Sequence, residues 1–170
     1  MATLPVTKFS RVTQYQLRVV VIEETTSVMN NTSVVRADVY IDKLSGTGYY
    51  AKDPATAAYV EIDGTRTNFH IPEYSFSNYK TLHVGTARKT VPHTANGSKS
   101  ISIKSYVSFR NDFLTLGNAT VSGSFGLTKF NRVACLFNQV LAQSNKSLLA
   151  EETPPSSSCP EKPGQLSCAA

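Results

Sequence analysis

A chain of 170 residues with 41% apolar, 9% aromatic and 17% charged side chains has enough apolar surface to build a core, which excludes a wholly disordered chain. The formal net charge of +5 arises from basic residues scattered singly, with Arg88 and Lys89 the one adjacent pair. Proteins that track a nucleic-acid backbone gather such residues on one face, so no nucleic-acid partner is expected. No run approaches the roughly 18 apolar residues of a bilayer span, and the start MATLPVTKFSR has neither an apolar signal core nor a small-residue cleavage site. The expectation is a soluble chain made in a cytoplasm, with no membrane partner.

Cys135, Cys159 and Cys168 all fall after residue 134, so the body cannot depend on a disulfide framework, and free thiols are expected in the tail. Residues 1–132 carry 15 Lys/Arg against 9 Asp/Glu, whereas residues 133–170 carry Lys146 and Lys162 against Glu151, Glu152 and Glu161. Charge and cysteine usage therefore change together near residue 132, which divides the chain into a domain of residues 1–132 and an appendage of residues 133–170.

Along the body, Tyr15, Leu17, Val19 and Val21 alternate with Gln14, Gln16 and Arg18, and the period of two predicts a half-buried strand over 13–25. SVMNNTS is a turn by composition, followed by a second alternating run, Val35, Ala37, Val39 and Ile41, that pairs antiparallel with the first. LSGTGYY reads as a turn into a short strand and residues 58–63 as another. Asp63-Gly64 then forms a hairpin tip leading into residues 65–70. Weak alternation over 79–90, clear alternation over 100–110 through Ile101, Ile103, Ser105, Val107 and Phe109, and a last run through Ala119, Val121, Gly123, Phe125 and Leu127 complete the body. Seven to nine strands with turn signals at regular spacing predict an all-β, antiparallel β-sandwich of Ig-like or jelly-roll-like kind, a small closed barrel being the other architecture with this pattern. From Val133 the apolar positions Leu136, Phe137, Val140 and Leu141 recur at helical spacing, and four prolines after Glu152 predict a flexible tail.

Motifs that carry chemistry are scarce. His70, His83 and His93 lie 13 and 10 residues apart, without the spacing that fixes two imidazoles on one metal. No nucleophile elbow, phosphate loop or dinucleotide fingerprint occurs, so neither catalysis nor a cofactor is expected. Glu61 and Asp63 share one strand face, the arrangement of a solvated surface more often than of an acid–base pair. The aromatic residues Tyr49, Tyr50, Tyr59, Phe69, Tyr74, Phe76 and Tyr79 cluster in mid-chain, some of them filling the core. Tyr49, Tyr50, Tyr74 and Tyr79 are the candidate ligand-binding residues, because a tyrosine ring offers apolar area and a hydroxyl at little entropic cost.

Three passages, ETTSVMNNTSVVRADVYI at 24–41, VPHTANGSKSISIKSYVSF at 91–109 and GNATVSGSFGLTKFNR at 117–132, resemble the minor structural proteins of tailed bacteriophages that infect Gram-positive bacteria. The resemblance covers residues 12–132. It implies a virion component of the tail or baseplate, with other virion proteins and further copies of itself as partners and host cell-wall polysaccharide as a possible ligand. A carbohydrate-binding accessory domain and a capsid decoration protein are the competing functions. The chain departs from those relatives in having no tryptophan, with Ala37 and Val39 where they often place one, so a tryptophan sugar platform is not available to it. It also lacks their I-P-R linker after the closing strand.

Overall fold

The computed structural model describes residues 1–131 apart from 47, 49, 52–56, 72–73, 77–79 and 111–114, with the backbone alone for Tyr50, Ala51 and Arg110. The helix expected from Val133 and the proline-containing tail lie outside the described residues. Eleven strands are defined among those that are described: β1 Ala2–Thr3, β2 Thr7–Lys8, β3 Tyr15–Ser27, β4 Thr32–Lys43, β5 Tyr50–Ala51, β6 Ala57–Ile62, β7 Thr65–Phe69, β8 Tyr74–Ser75, β9 Thr81–Pro92, β10 Ser100–Arg110 and β11 Thr115–Gly126. One sheet runs β1-β3-β4-β9 with β2 also paired to β3, a second runs β11-β10-β6-β7, and β5 pairs with β8 in a small third sheet. Every pairing is antiparallel. Two separate sheets facing one another make a sandwich and not a closed barrel.

The alternating side chains that predicted the strands form the interface between the sheets. Leu17, Val19 and Val21 of β3, Val35, Ala37, Val39 and Ile41 of β4, and Val60, Ile62, Ile101, Ile103, Val107 and Phe109 of β6 and β10 are all buried in one apolar cluster. Burying a side chain of this size stabilises the fold by about 1.5–3 kcal/mol relative to exposure. Tyr15 and Phe76 meet edge to face at 5.0 Å, and Phe76 and Phe109 at 6.3 Å, closing one end of the core.

Three irregularities shift parity where strict alternation would misplace a side chain. Between β4 and β9 the register slips at Val39 and Tyr40, which pair with Gly85 and His83. The extra residue, Val84, explains why Leu82 and Val84 are buried on one side of the bulge and Ala87 and Val91 on the other. A Cβ on Gly85 would run into the ring of Phe69 from β7, so this glycine lets the sheets approach. Weak alternation over 79–90 is thus a real strand broken by a bulge. The second irregularity, between Phe109 and Arg110, brings Leu116 inward and places Gly117 at φ 85°. The third lies in β3 between Glu23 and Thr25.

The tips follow their turn residues. Asp63 and Gly64 both have positive φ, 46° and 79°, as a two-residue type I′ hairpin requires. Asn31 at φ 52° turns β3 into β4, and its Nδ2 donates to the carbonyl of His93 at 3.0 Å. The N-terminal arm contributes β1 and β2, which lack an apolar period to announce them. The Phe9 N–H donates to the Tyr15 carbonyl at 3.1 Å, and those of Ser10 and Arg11 to Asn118 and Leu116 at 3.0 and 3.1 Å. One short segment thereby joins the first sheet to the edge of the second.

Candidate ligand-binding surface

Because Ala58, Val60 and Ile62 point inward, Tyr59 and Glu61 must point outward, and the same parity turns Lys104, Tyr106 and Ser108 of β10 to the outer face. Register then fixes the neighbours: Tyr59 lies beside Tyr106 and Asn68, and Tyr106 beside Thr120. The next row reads Ser122, Lys104, Glu61, Arg66 across the four strands. The two tyrosine rings stack at 5.6 Å with 26° between their planes, and the Arg66 guanidinium lies 3.9 Å from the Tyr59 centroid. Tyr59 is thus sandwiched between a cation and a ring, which holds both aromatic planes upright on the sheet. Tyr106 has an aromatic neighbour on its β6 side and only the short Thr120 side chain opposite it on β11. Arg66 also pairs with Glu61 at 3.4 Å. Lys104 makes no ion pair, and the side chains of Ser108, Thr120 and Ser122 make no hydrogen bond, to another described residue. The face is therefore polar, aromatic at its centre and largely unspent.

The outer face of the first sheet is the opposite case. Arg18 donates to both carboxylate oxygens of Asp42 at 2.6 and 3.0 Å and lies 4.4 Å from the Tyr40 centroid. Arg36 bridges Glu24 at 2.7 Å and Asp38 at 3.1 Å, and Arg88 pairs with Glu24 at 2.9 Å. Thr86 and Thr81 donate to Asp38 and Asp42 at 2.7 and 2.9 Å. The hydrogen bond with Asp42 is the largest influence on Arg18 and holds its guanidinium above its ordinary value. For Asp42 burial acts to raise the pKa, but the hydrogen bonds from Arg18 and Thr81 and the Arg18 charge outweigh it and hold the carboxyl below the usual range. These charges are matched to one another across strands and leave little for a ligand.

A third polar cluster sits where the chain closes. His93 is buried and stacks on Phe130 at 4.2 Å. Its Nδ1 lies 3.1 Å from the Gly97 carbonyl and its Nε2 2.7 Å from Ser33 Oγ, which in turn donates to Glu23 at 2.6 Å. Glu23 also accepts the Thr128 N–H and hydroxyl at 2.9 and 2.7 Å. The constellation contains a serine, a histidine and a carboxylate, but Ser33 is 1% exposed, so no substrate reaches its oxygen. Its role is to tie residues 127–131 to β3 and β4.

Of the tyrosines singled out by sequence, Tyr74 is half-buried against the core, edge to face with Phe76 at 4.8 Å, and its hydroxyl donates to the Thr81 carbonyl. Tyr50 is placed by backbone in β5, opposite Ser75, while Tyr49 and Tyr79 lie outside the described residues. Glu61 and Asp63 take separate partners, Arg66 and Lys99. Among the described residues no three His, Cys, Asp or Glu side chains gather as a metal site would require. Sequence reading passed over the Tyr59–Tyr106 pair because the two rings are 47 positions apart. The signal was nonetheless present in the outward parity of both residues within alternating runs.

The fold and this face define a two-sheet antiparallel β-sandwich with one outer face spent on internal ion pairs and the other left polar and aromatic. Residues 8–143 match the family described as siphovirus protein of unknown function (DUF859), and the chain belongs to that family. It is accordingly a protein of tailed bacteriophages. No curated protein and no solved structure matches it.

Proposed function

We propose that this siphovirus protein is a structural component of the virion, located in the tail or baseplate, where it serves as an assembly and host-surface adhesion module without catalysis. The carrying observation is the contrast between the two outer faces: on the Tyr59–Tyr106 face Lys104 and the side chains of Ser108, Thr120 and Ser122 have no partner among the described residues. Membership of a siphovirus family supports the phage setting. The resemblance of residues 12–132 to minor structural proteins supports a particle component and a Gram-positive host. The long strand β9 borders its sheet, and such an edge serves as a docking site for a neighbouring subunit or a further copy of the chain.

The test is binding of the fluorescently labelled full chain to a panel of Gram-positive cells, together with immunogold labelling of intact particles. Label at the tail tip and strain-restricted binding that a soluble excess of protein competes away are expected. Label on the head, with no binding to any strain, would overturn the adhesion reading in favour of capsid decoration.

A further inference from the structure

The outer face of the second sheet does not end at the tyrosines. One pleat further along β10 and β11, about 7 Å away, Ser108 lies opposite Asn118, and beside them is a cavity of about 300 Å³ lined by Ser10, Arg11, Ser108, Thr115, Gly117 and Asn118. Its construction can be traced to one residue. Gly117 sits at φ 85° beside the β10–β11 irregularity, and a Cβ there would collide with Ser10 Oγ and press on Arg11. Only because that volume is empty can the N-terminal arm lie against β11, where the Ser10 and Arg11 amides bond to Asn118 and Leu116. The arm delivers an exposed guanidinium, Arg11, that forms no ion pair with a described residue. Ser10 Oγ accepts the Asn118 N–H at 3.1 Å, so its own proton remains to be donated.

We infer that the surface running from Tyr106 to Arg11 binds a phosphate-bearing polysaccharide, a sugar ring stacking on the β11-facing side of Tyr106 and a phosphodiester entering the Arg11 cavity. This rests on the adhesion reading above and names its ligand. The chemistry of the groups selects the class. An upright aromatic plane beside short hydroxyl side chains fits the apolar face and ring hydroxyls of a pyranose. Beyond it, a forked guanidinium with the Ser10, Ser108 and Thr115 hydroxyls and the Asn118 amide offers donors in several directions, which suits a tetrahedral phosphate better than a flat carboxylate. Lys104 and Arg66 against Glu61 make the rest of the face net positive, complementary to a polyanion. The single-pleat spacing of about 7 Å between the Tyr106 and Ser108 rows matches neighbouring units of one chain more closely than two separate ligands.

The test uses the full chain and three immobilised probes: a phosphodiester-linked, sugar-substituted polymer, the same oligosaccharide freed of phosphate, and a uronate-bearing polysaccharide of similar length. Binding is expected to be strongest to the first, to weaken with added salt, and to fall about tenfold in Tyr106→Ala. Arg11→Gln should lose a comparable factor on the phosphate polymer, flatten its salt dependence and leave the phosphate-free oligosaccharide unaffected. Both side chains lie outside the core, so circular dichroism should match the parent chain, with melting temperature unchanged in Arg11→Gln and lowered by only a few degrees in Tyr106→Ala, which loses the stack with Tyr59. Equal binding to all three probes, preference for the uronate polymer, or phosphate-polymer binding indifferent to both substitutions would overturn the inference. If the chain adheres to cells yet binds none of the probes, the inference falls and the adhesion reading stands. If it adheres to no cells and binds no probe, both fall together.

Discussion

The two outer faces of the sandwich are built from the same pleated geometry and similar residue types, yet they spend their polar groups differently. On the first sheet Arg18 and Arg36 each meet a carboxylate on the adjacent strand, Arg88 reaches across β4 to Glu24 of β3, and Thr81 and Thr86 donate to the remaining carboxylate oxygens. On the second sheet Glu61 and Arg66 form the one ion pair of the central rows, at 3.4 Å, while Lys104 has none among the described residues. Internal satisfaction marks a face that stabilises and specifies strand register, since cross-strand pairs contribute only in the correct alignment. Unsatisfied groups around a fixed aromatic pair mark a face kept for something else. Each face carries tyrosine over which an arginine lies, Tyr40 with Arg18 and Tyr59 with Arg66, so the presence of a ring does not separate them; the remaining partners do.

Substitutions can break this contrast at several points, and the largest stability losses should come from neither face but from what joins the sheets. Phe109→Ala removes a fully buried ring at the end of the core and should cost about 3–5 kcal/mol, read by chemical denaturation. Gly117→Ala forces a positive φ on a residue with a Cβ and displaces Ser10. A loss of about 1–3 kcal/mol is expected, together with disappearance of the Arg11 cavity as judged by amide exchange at Ser10 and Arg11. Ser33→Ala leaves Glu23 and His93 without their bridge and should cost about 1–3 kcal/mol, loosening residues 127–131 first in hydrogen exchange.

The paired face and the Glu23 cluster where the chain closes should both respond to acid. Glu23 and Asp42 both lie below their ordinary values of 4.5 and 3.8. For Glu23 burial opposes the shift and the hydrogen bonds from Ser33 and Thr128 overcome it. A carboxyl depressed in the folded state contributes stability that is fully present above its unfolded pKa and is lost as pH falls through the folded one. Melting temperature should therefore hold from neutrality down to about pH 5 and decline below about pH 4. Asp42→Asn should lower the neutral-pH stability by no more than about 1 kcal/mol, because the pair is partly solvated, and should shrink the acid-sensitive fraction. Tyr106→Ala should cost no more than about 1 kcal/mol, the worth of its cross-strand stack with Tyr59.

Much of the fold was legible because one face of each long strand is buried and the period of two survives in the sequence. The Tyr15–Val21 and Ile101–Phe109 runs and the Asp63-Gly64 tip all follow from local chemistry. What escaped was non-local. β9 reads weakly because the bulge at Val84 switches its buried side. β1 and β2 are two-residue strands defined by their partner β3 and not by their own composition. The candidate surface was half legible: outward parity of Tyr59 and Tyr106 could be read from each strand alone. Their adjacency required the β6–β10 register, and Arg11 reaches the face only through an arm that the sequence gives no reason to place there.

The most direct test compares the matched tyrosines. The labelled chain carrying Tyr106→Ala or Tyr40→Ala would be titrated onto cells of a strain that the parent chain binds. The account predicts about a tenfold loss of affinity for Tyr106→Ala and parental binding for Tyr40→Ala. Equal binding by both variants, or a loss confined to Tyr40→Ala, would contradict the assignment of the second sheet as the face that meets the host.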